Sequence, residues 1–380
     1  MEYICPRCGN KDPRYIGHFN GEPYCRRCIS FKGETVSYKK KQGKDAPIEL
    51  NFALSQEQAE ISEKIVSNYK NGIDTLVYAV CGAGKTEISY GLISYAIYNG
   101  LTVGFALPRR DVVIELAYRL QESFPRNKIV PVYGQHTKEL EGDVVVLTTH
   151  QLYRYENYFD VFIMDEIDAF PFKDNELLIS MYKRSIRKNV LLMSATPSKR
   201  VLDEFKKAGH SILELRTRFH KKEIPVPSIV IFPSFLKVFF LIKKLKKYEK
   251  ENKVCFIFTP SISKCESLFS LLHLFVKNGE YVHSQRENRA KIIGDFKKNK
   301  FLYLVTTSVL ERGVTFKNLQ VIVTDSEEED IYDSATLIQI AGRVGRKFDA
   351  PTGDVIFLAQ KVTKSMEDAI NEIKFCNTFL

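Results

Sequence analysis

The sequence predicts an α/β protein: two doubly wound, parallel-sheet domains in tandem behind a small four-cysteine module. Three observations carry this. From about residue 50 onward, short near-continuous apolar runs alternate with amphipathic helical patterns, as expected for parallel strands covered on both faces. The alternation is interrupted at 216–228, where Pro225 and Pro227 break regular structure. Four of the eight cysteines crowd into the first 28 residues.

The module covers 1–34. Residues 35–47 are Lys-rich, contain Gly43 and Pro47, and read as a basic linker. The first α/β domain, 48–215, is expected to hold strands at 75–80, 101–107, 128–133, 144–149, 158–165, 190–195 and 211–215. A linker at 216–228 leads to the second domain, 229–380. Its expected strands are 254–259, 281–283, 302–306, 321–324 and 355–358. Its expected helices are 234–251, 261–277, 287–299, 333–342 and 364–376. No low-complexity tract and no repeat of 20–50 residues is visible.

The 380 residues are 44% hydrophobic and 27% charged, which excludes a wholly disordered chain. The formal net charge of +10 suits an anionic partner such as nucleic acid. Residues 1–47 hold ten Lys/Arg and five Asp/Glu, so an eighth of the chain carries half the surplus. The apolar runs fall well short of the ~18–20 residues that a spanning helix needs. The first residues lack the basic-then-apolar order of a secretory signal, so a cytosolic chain with reduced thiols is expected. Cys81, Cys255, Cys265 and Cys376 are scattered and read as small apolar residues.

Cys5-x2-Cys8 and Cys25-x2-Cys28 have the spacing of a four-thiolate zinc site. Each C-x-x-C can aim two sulfurs at one point, and two such turns complete a tetrahedron. Four thiolates leave no open position, so the metal is expected to be structural. Asn20-Gly21 between them is a strong hairpin signal. His18 is an alternative ligand or a surface histidine. Arg7, Arg14, Arg26 and Arg27 can contact phosphates or offset the charge of the tetrathiolate.

Ala79-Val80-Cys81-Gly82-Ala83-Gly84-Lys85-Thr86 follows an apolar strand and opens a helix, the context of a phosphate loop. Gly82, Ala83 and Gly84 bring backbone N–H groups to the phosphates, Lys85 reaches the β and γ oxygens, and Thr86 can hold Mg²⁺. Asp165-Glu166-Ile167-Asp168 ends the apolar run 161–164. One carboxylate, Asp165, can bind Mg²⁺, and the other, Glu166, can orient and deprotonate a water. Ser194-Ala195-Thr196 ends the next apolar run. Far downstream, Gln339-x-x-Gly342-Arg343-x-Gly345-Arg346 carries two arginines three apart, suited to charge on a transferring phosphoryl group. Sites on such sheets lie beyond the carboxyl ends of the strands.

These motifs, in this order, resemble those of superfamily-two helicases and translocases. Leu54-Ser55-Gln56-Glu57-Gln58 resembles the upstream motif that reads adenine, carried by Gln58. Residues 306–314, from Thr306 to Val314, are similar to the segment that joins the nucleotide and nucleic-acid sites. Within the superfamily the chain resembles the ComFA family of competence ATPases. That likeness rests on the N-terminal four-cysteine finger, Asp165–Phe172, Arg218-Phe219-His220 and Leu310–Phe316.

The resemblance implies two RecA-like domains with ATP between them. Lys85, Thr86, Asp165 and Glu166 would come from the first; Arg343, Arg346, Gln339 and Gly313 would come from the second. It implies ATP, Mg²⁺ and Zn²⁺ as ligands and single-stranded DNA as track. Candidate phosphate contacts are Arg109, Thr148, Thr149, Ser261, Thr306 and Thr307, each hydroxyl reading equally as a strand-end cap. Phe170 and Phe172 can stack on bases or pack in the core. The lysines at 243–247 compensate a helix dipole or face DNA. The family also suggests the ComEC channel, ComFC and single-strand-handling proteins as partners, at the inner face of the cell membrane; self-association is a further expectation. Superfamily-two helicases of replication restart or of the DEAD-box RNA type, and a zinc-ribbon adaptor with a decayed ATPase, are the competing functional readings.

Overall fold

The computed structural model describes residues 3–380 apart from Asn51, Cys81, Gln135, 168–174, 219–220, 308–315 and Phe348, and apart from the side chains of Ser234 and Ala290. The chain divides into two compact units. One comprises residues 1–79 and 84–215; the other comprises 216–380 with Val80–Ala83 grouped alongside.

The first unit opens with the hairpin β1 (Ile16–Phe19) and β2 (Glu22–Cys25), paired from Ile16–Cys25 to Phe19–Glu22. Asn20 and Gly21 turn it with φ of 50° and 83°, the left-handed conformations that asparagine and glycine tolerate. Seven parallel strands follow: β3 (Thr75–Ala79), β4 (Val103–Leu107), β5 (Ile129–Val132), β6 (Val144–Thr148), β7 (Phe159–Asp165), β8 (Ile186–Ser194) and β9 (Ser211–Leu215). Their order across the sheet is β5-β6-β4-β7-β8-β3-β9. β4 and β6 are buried at every position, as their unbroken apolar runs require. The helices are α1 (Gln56–Lys70), α2 (Lys85–Ile88), α3 (Tyr90–Tyr98), α4 (Arg110–Ser123), α5 (Glu176–Ser185) and α6 (Lys199–Lys207). α1 starts in a capping box: Ser55 Oγ accepts from Gln58 N–H, and Gln58 Oε1 accepts from Ser55 N–H.

The finger is packed on this unit and shares its core. The four cysteines cluster with Tyr155, Tyr158, Phe159, Leu178 and Met181, with Phe31 and Val36 against them. Val36 bridges Tyr155, Tyr153 donates to Lys32 O (2.6 Å), and Arg184 donates to Pro6 O (2.6 Å). The Lys-rich stretch 35–47 is an extended strap. Arg187 lies 3.5 Å over the Tyr38 ring, Lys44 pairs with Asp143 at 2.8 Å, and Ser94 donates to Ala46 O at 2.6 Å.

The second unit is a six-stranded parallel sheet: β10 (Ser228–Ile231), β11 (Val254–Phe258), β12 (Gly279–Val282), β13 (Tyr303–Thr306), β14 (Leu319–Thr324) and β15 (Val355–Ala359). The order is β10-β15-β14-β11-β13-β12. Its helices are α7 (Lys237–Lys250), α8 (Ile262–Phe275), α9 (Arg289–Lys297), α10 (Ser334–Ala341) and α11 (Lys364–Asn377). β10 is an addition to the expected strands. It is an edge strand of four residues between Pro227 and Pro233, too short for its apolar run to stand out from a proline-broken segment. Just before it, Ile224 and Asn377 exchange two hydrogen bonds of 2.8 and 2.9 Å, which tie the incoming chain to α11.

Arg154 organises the joint between finger and sheet. Buried to 6% exposure, it donates to Glu34 O and Gln151 Oε1, both at 2.7 Å. Gly33 (φ 134°) has no room for a Cβ, which would stand 2.7 Å from Arg154 Nη1. Arg154→Ala removes the hydrogen bonds to Glu34 O and Gln151 Oε1, each worth about 0.5–1.5 kcal/mol. Limited proteolysis should then cut within 32–36 at protease concentrations that spare the wild type.

Candidate nucleotide site and metal centre

β7, β8 and β3 are neighbours in the sheet, so their carboxyl ends lie side by side. Asp165 is opposite Met193 on β8, and Ser194 is opposite Tyr78 on β3. This register brings the acidic pair, the Ser-Ala-Thr segment and the glycine-rich loop to one edge. Met164, Met193 and Ala79 are fully buried; the next residues of each strand are the polar or loop residues of the site.

In the loop, Gly82 and Gly84 have φ of 86° and 82°, and Ala83 N–H donates to Val80 O at 3.1 Å. A Cβ on Gly84 would stand 2.4 Å from Gln58 Nε2, so the glycine leaves space that the buried Gln58 amide occupies. Gln58 thus holds the start of α1 and packs on the loop at the same time. Gly84 is the N-cap of α2, whose first residues are Lys85 and Thr86. Lys85 Nζ lies 4.0 Å from Asp165 Oδ1, and both side chains are mostly buried. A lysine, a carboxylate and a hydroxyl on a helix-opening loop form a donor set that fits a magnesium nucleotide.

Glu166 has φ of 60°, an uncommon conformation for a non-glycine residue, at a cost of roughly 1–2 kcal/mol. Its N–H reaches both Met193 O (3.0 Å) and Asp165 Oδ1 (2.9 Å), which hold the turn. In an extended strand successive side chains point to opposite faces. The left-handed turn at Glu166 breaks that alternation next to Asp165. Ser194 Oγ is buried and accepts from Thr196 N–H at 3.0 Å, so the serine shapes its own segment.

In the second unit, Gln339 lies on α10 with 3% exposure, and Arg343 in the following turn with 1%. Arg346 Nε donates to Gly342 O at 2.8 Å. Asp333 Oδ1 accepts from Thr336 N–H at 2.8 Å and fixes the start of that helix. Gly313, Asp168, Phe170 and Phe172 lie outside the described residues.

The candidate nucleic-acid contacts are spread over the strand ends. Arg109 is half-buried at the N-cap of α4. Thr148 and Thr149 are buried, Thr149 completely. Thr306 is also fully buried and its hydroxyl donates to Thr307 O at 3.1 Å, with Thr307 9% exposed. Ser261 is exposed, and its hydroxyl accepts from Lys264 N–H at 3.2 Å as the cap of α8. Ser261 and Thr306 therefore spend their hydroxyls on local backbone in this structure.

The four cysteine sulfurs lie within 4.8 Å of one another, and all four residues are buried. Cys5–Cys28 is 3.4 Å and Cys8–Cys25 is 3.7 Å. Tetrahedral zinc with bonds of about 2.3 Å needs sulfur edges of about 3.8 Å, so the cluster fits the ion. Burial pushes the Cys8 thiol up to about 11. His18 is exposed on β1, outside that cluster. Of the four arginines, Arg14 pairs with Asp12, Arg27 with Glu176, and Arg7 donates to Phe31 O; Arg26 is exposed. The docking of the finger through Phe31, Tyr153 and Arg154 was not legible, because ordinary aromatics and an arginine carry no spacing signal.

With this geometry in hand, the comparisons with known proteins decide the family. Residues 51–199 match the family described as type III restriction enzyme, res subunit, and 237–348 match the helicase conserved C-terminal domain. Competence protein ComFA of Bacillus subtilis is 34% identical over 99% of this chain and 86% of its own length. That of Streptococcus pneumoniae is 35% identical over 94% of this chain and 86% of its own.

The chain belongs to the ComFA family.

Among solved structures, Saccharomyces cerevisiae Dbp5 bound to RNA and ADP BeF3 superposes with a TM-score of 0.64 at 17% identity. The match covers 86% of this chain and 93% of Dbp5. The fold is therefore the two-domain RecA-like fold of superfamily-two helicases. As a ComFA-family helicase the chain is an ATP-hydrolysing motor, and the superfamily implies ATP with Mg²⁺.

Because the cysteines are part of the first unit's core, metal loss should be felt beyond the finger. Cys25→Ser should bring zinc content from one per chain to none by metal analysis. It should also lower the melting temperature of the first unit, since site formation and folding are coupled. Retention of stoichiometric zinc would contradict the ligand set.

Proposed function

We propose that this chain is an ATP-driven motor that moves along single-stranded DNA and draws transforming DNA into the cytoplasm during competence. The observation that carries this reading is the similarity to two competence proteins, over 99% and 94% of this chain. The site geometry supports the motor half of it.

In this reading the loop Gly82–Gly84 and Lys85 hold the phosphates of ATP. Thr86 and Asp165 hold Mg²⁺, which when bound neutralises phosphate charge. Gln58 supports adenine recognition from behind the loop. Glu166 orients the attacking water and takes its proton. Arg343 and Arg346 meet the charge that develops on the transferring phosphoryl group, and Gln339 and Gly313 are read as nucleotide contacts. Arg109, Thr148, Thr149, Ser261, Thr306 and Thr307 mark the strand ends along which a DNA backbone would run. A track held by backbone contacts is read without regard to sequence, as uptake of arbitrary DNA requires. Binding closes the site, and hydrolysis reopens it.

Zinc in the four-cysteine site is read as structural. The cytoplasm is the expected compartment, with association at the inner face of the membrane through ComEC, ComFC or self-association. No helix among the described residues is long and apolar enough to cross a membrane.

The test is the steady-state ATPase rate with single-stranded DNA, duplex DNA, RNA or nothing, measured across salt. Single-stranded DNA should stimulate most, by roughly tenfold or more, and the stimulation should fade as salt rises. Greater stimulation by RNA would transfer the chain to RNA remodelling. A rate indifferent to every nucleic acid would end the motor reading.

A further inference from the structure

Arg218 lies in the stretch that leads into the second unit's sheet and has been given no task so far. It is 2% exposed, one of the largest fully buried side chains in the protein. Its guanidinium donates from Nη1 to Val344 O (2.9 Å) and Gly345 O (3.0 Å), and from Nη2 to Gly342 O (3.2 Å). These carbonyls belong to the end of α10 and the turn after it. Carbonyls at a helix C-terminus lack intrahelical donors and carry partial negative charge. A buried cation is costly unless it is well hydrogen-bonded, and here three carbonyls from a segment more than 120 residues away receive it.

Two further details tie this contact to the arginine pair. Gly342 O accepts from Arg346 Nε (2.8 Å) as well as from Arg218, so one carbonyl restrains both side chains. Gly345 has φ of 71°, and a Cβ there would stand 2.1 Å from Pro351 O and 3.1 Å from Arg218 Nη1. The turn that carries Arg343 and Arg346 is thus wedged between the Pro351 carbonyl and the Arg218 fork. A lysine could offer these carbonyls only a point charge, not a planar fork that spans three of them.

We propose that Arg218 is a positioning residue for ATP hydrolysis, fixing the 342–346 turn so that Arg343 and Arg346 hold one orientation. This rests on the reading that the arginine pair meets the phosphoryl charge. A displacement of about 1 Å in such a group costs on the order of a hundredfold in rate.

The experiment is steady-state ATPase kinetics of the full chain for wild type, Arg218→Ala, Arg218→Lys, Arg346→Ala and the Arg218→Ala/Arg346→Ala double variant. Equilibrium binding of a fluorescent ATP analogue and thermal melting are measured on each. Arg218→Ala should lower kcat by roughly 10–100-fold while analogue affinity stays within about twofold. The double variant should lose less than the product of the two single losses, since both changes weaken the same arginine pair. Methylguanidinium in the assay should restore part of the turnover of Arg218→Ala and none of that of Arg346→Ala. A folded Arg218→Ala with wild-type kcat, beside a slow Arg346→Ala, overturns the proposal alone. So does a double variant whose losses multiply. If Arg218→Ala does not melt cooperatively, Arg218→Lys decides: reduced kcat with unchanged analogue affinity supports the role, and wild-type kcat overturns it. Wild-type turnover in Arg346→Ala would instead end the arginine-pair reading itself.

Discussion

The register among β7, β8 and β3 is the constraint on which the rest depends. Asp165 opposite Met193 and Ser194 opposite Tyr78 set three strand ends side by side, where β7 and β8 pass from buried apolar residues to Asp165 and Ser194. A slip of one residue would turn every side chain of a strand to the other face. The strands are buried on both sides, so such a slip would disturb two layers of packing at once. The same alignment puts Lys85 at 4.0 Å from Asp165 and lets the Glu166 N–H bond across to Met193 O. The local strain at Glu166 is held by those neighbours, not by its own sequence.

The N-terminal region changes meaning when its contacts are known. Residues 1–34 hold six Lys/Arg against four Asp/Glu, and zinc with four thiolates carries −2, so a loaded finger is neutral. Most of its arginines already have protein partners. In the strap, Lys41 donates to Gly142 O and Lys44 pairs with Asp143. Half of the chain's positive surplus lies here by count, yet part of it is spent on holding this segment to the first sheet. The simplest physical role for the finger is to extend the first domain's core.

Much of this was legible because the signals are backbone signals. Apolar runs fix parallel strands, Asn20-Gly21 fixes a hairpin, and Gly82 and Gly84 fix a loop that needs left-handed residues. The paired C-x-x-C turns announce, by spacing alone, a cluster of four cysteines that could hold a metal ion. What was hidden depends on tertiary packing. Nothing in Val36–Tyr38 says it will lie against Tyr155 and Arg187, and nothing near Arg218 announces three carbonyls beyond residue 340. The hydroxyls at strand ends gave an ambiguous signal for the same reason. Ser261 and Thr306 suit a phosphate or a local cap equally in sequence, and only coordinates show them capping.

The central claim is that phosphate binding and chemistry are divided along one sheet edge, with Lys85 holding the nucleotide and Glu166 activating water. Equilibrium ATP binding and turnover, measured side by side on Glu166→Gln and Lys85→Ala, test that division most directly. The account predicts that Glu166→Gln binds ATP within about threefold of wild type while its turnover falls by roughly a hundredfold or more. It predicts that Lys85→Ala loses binding and turnover together. A Glu166→Gln variant that hydrolyses ATP at the wild-type rate would contradict it.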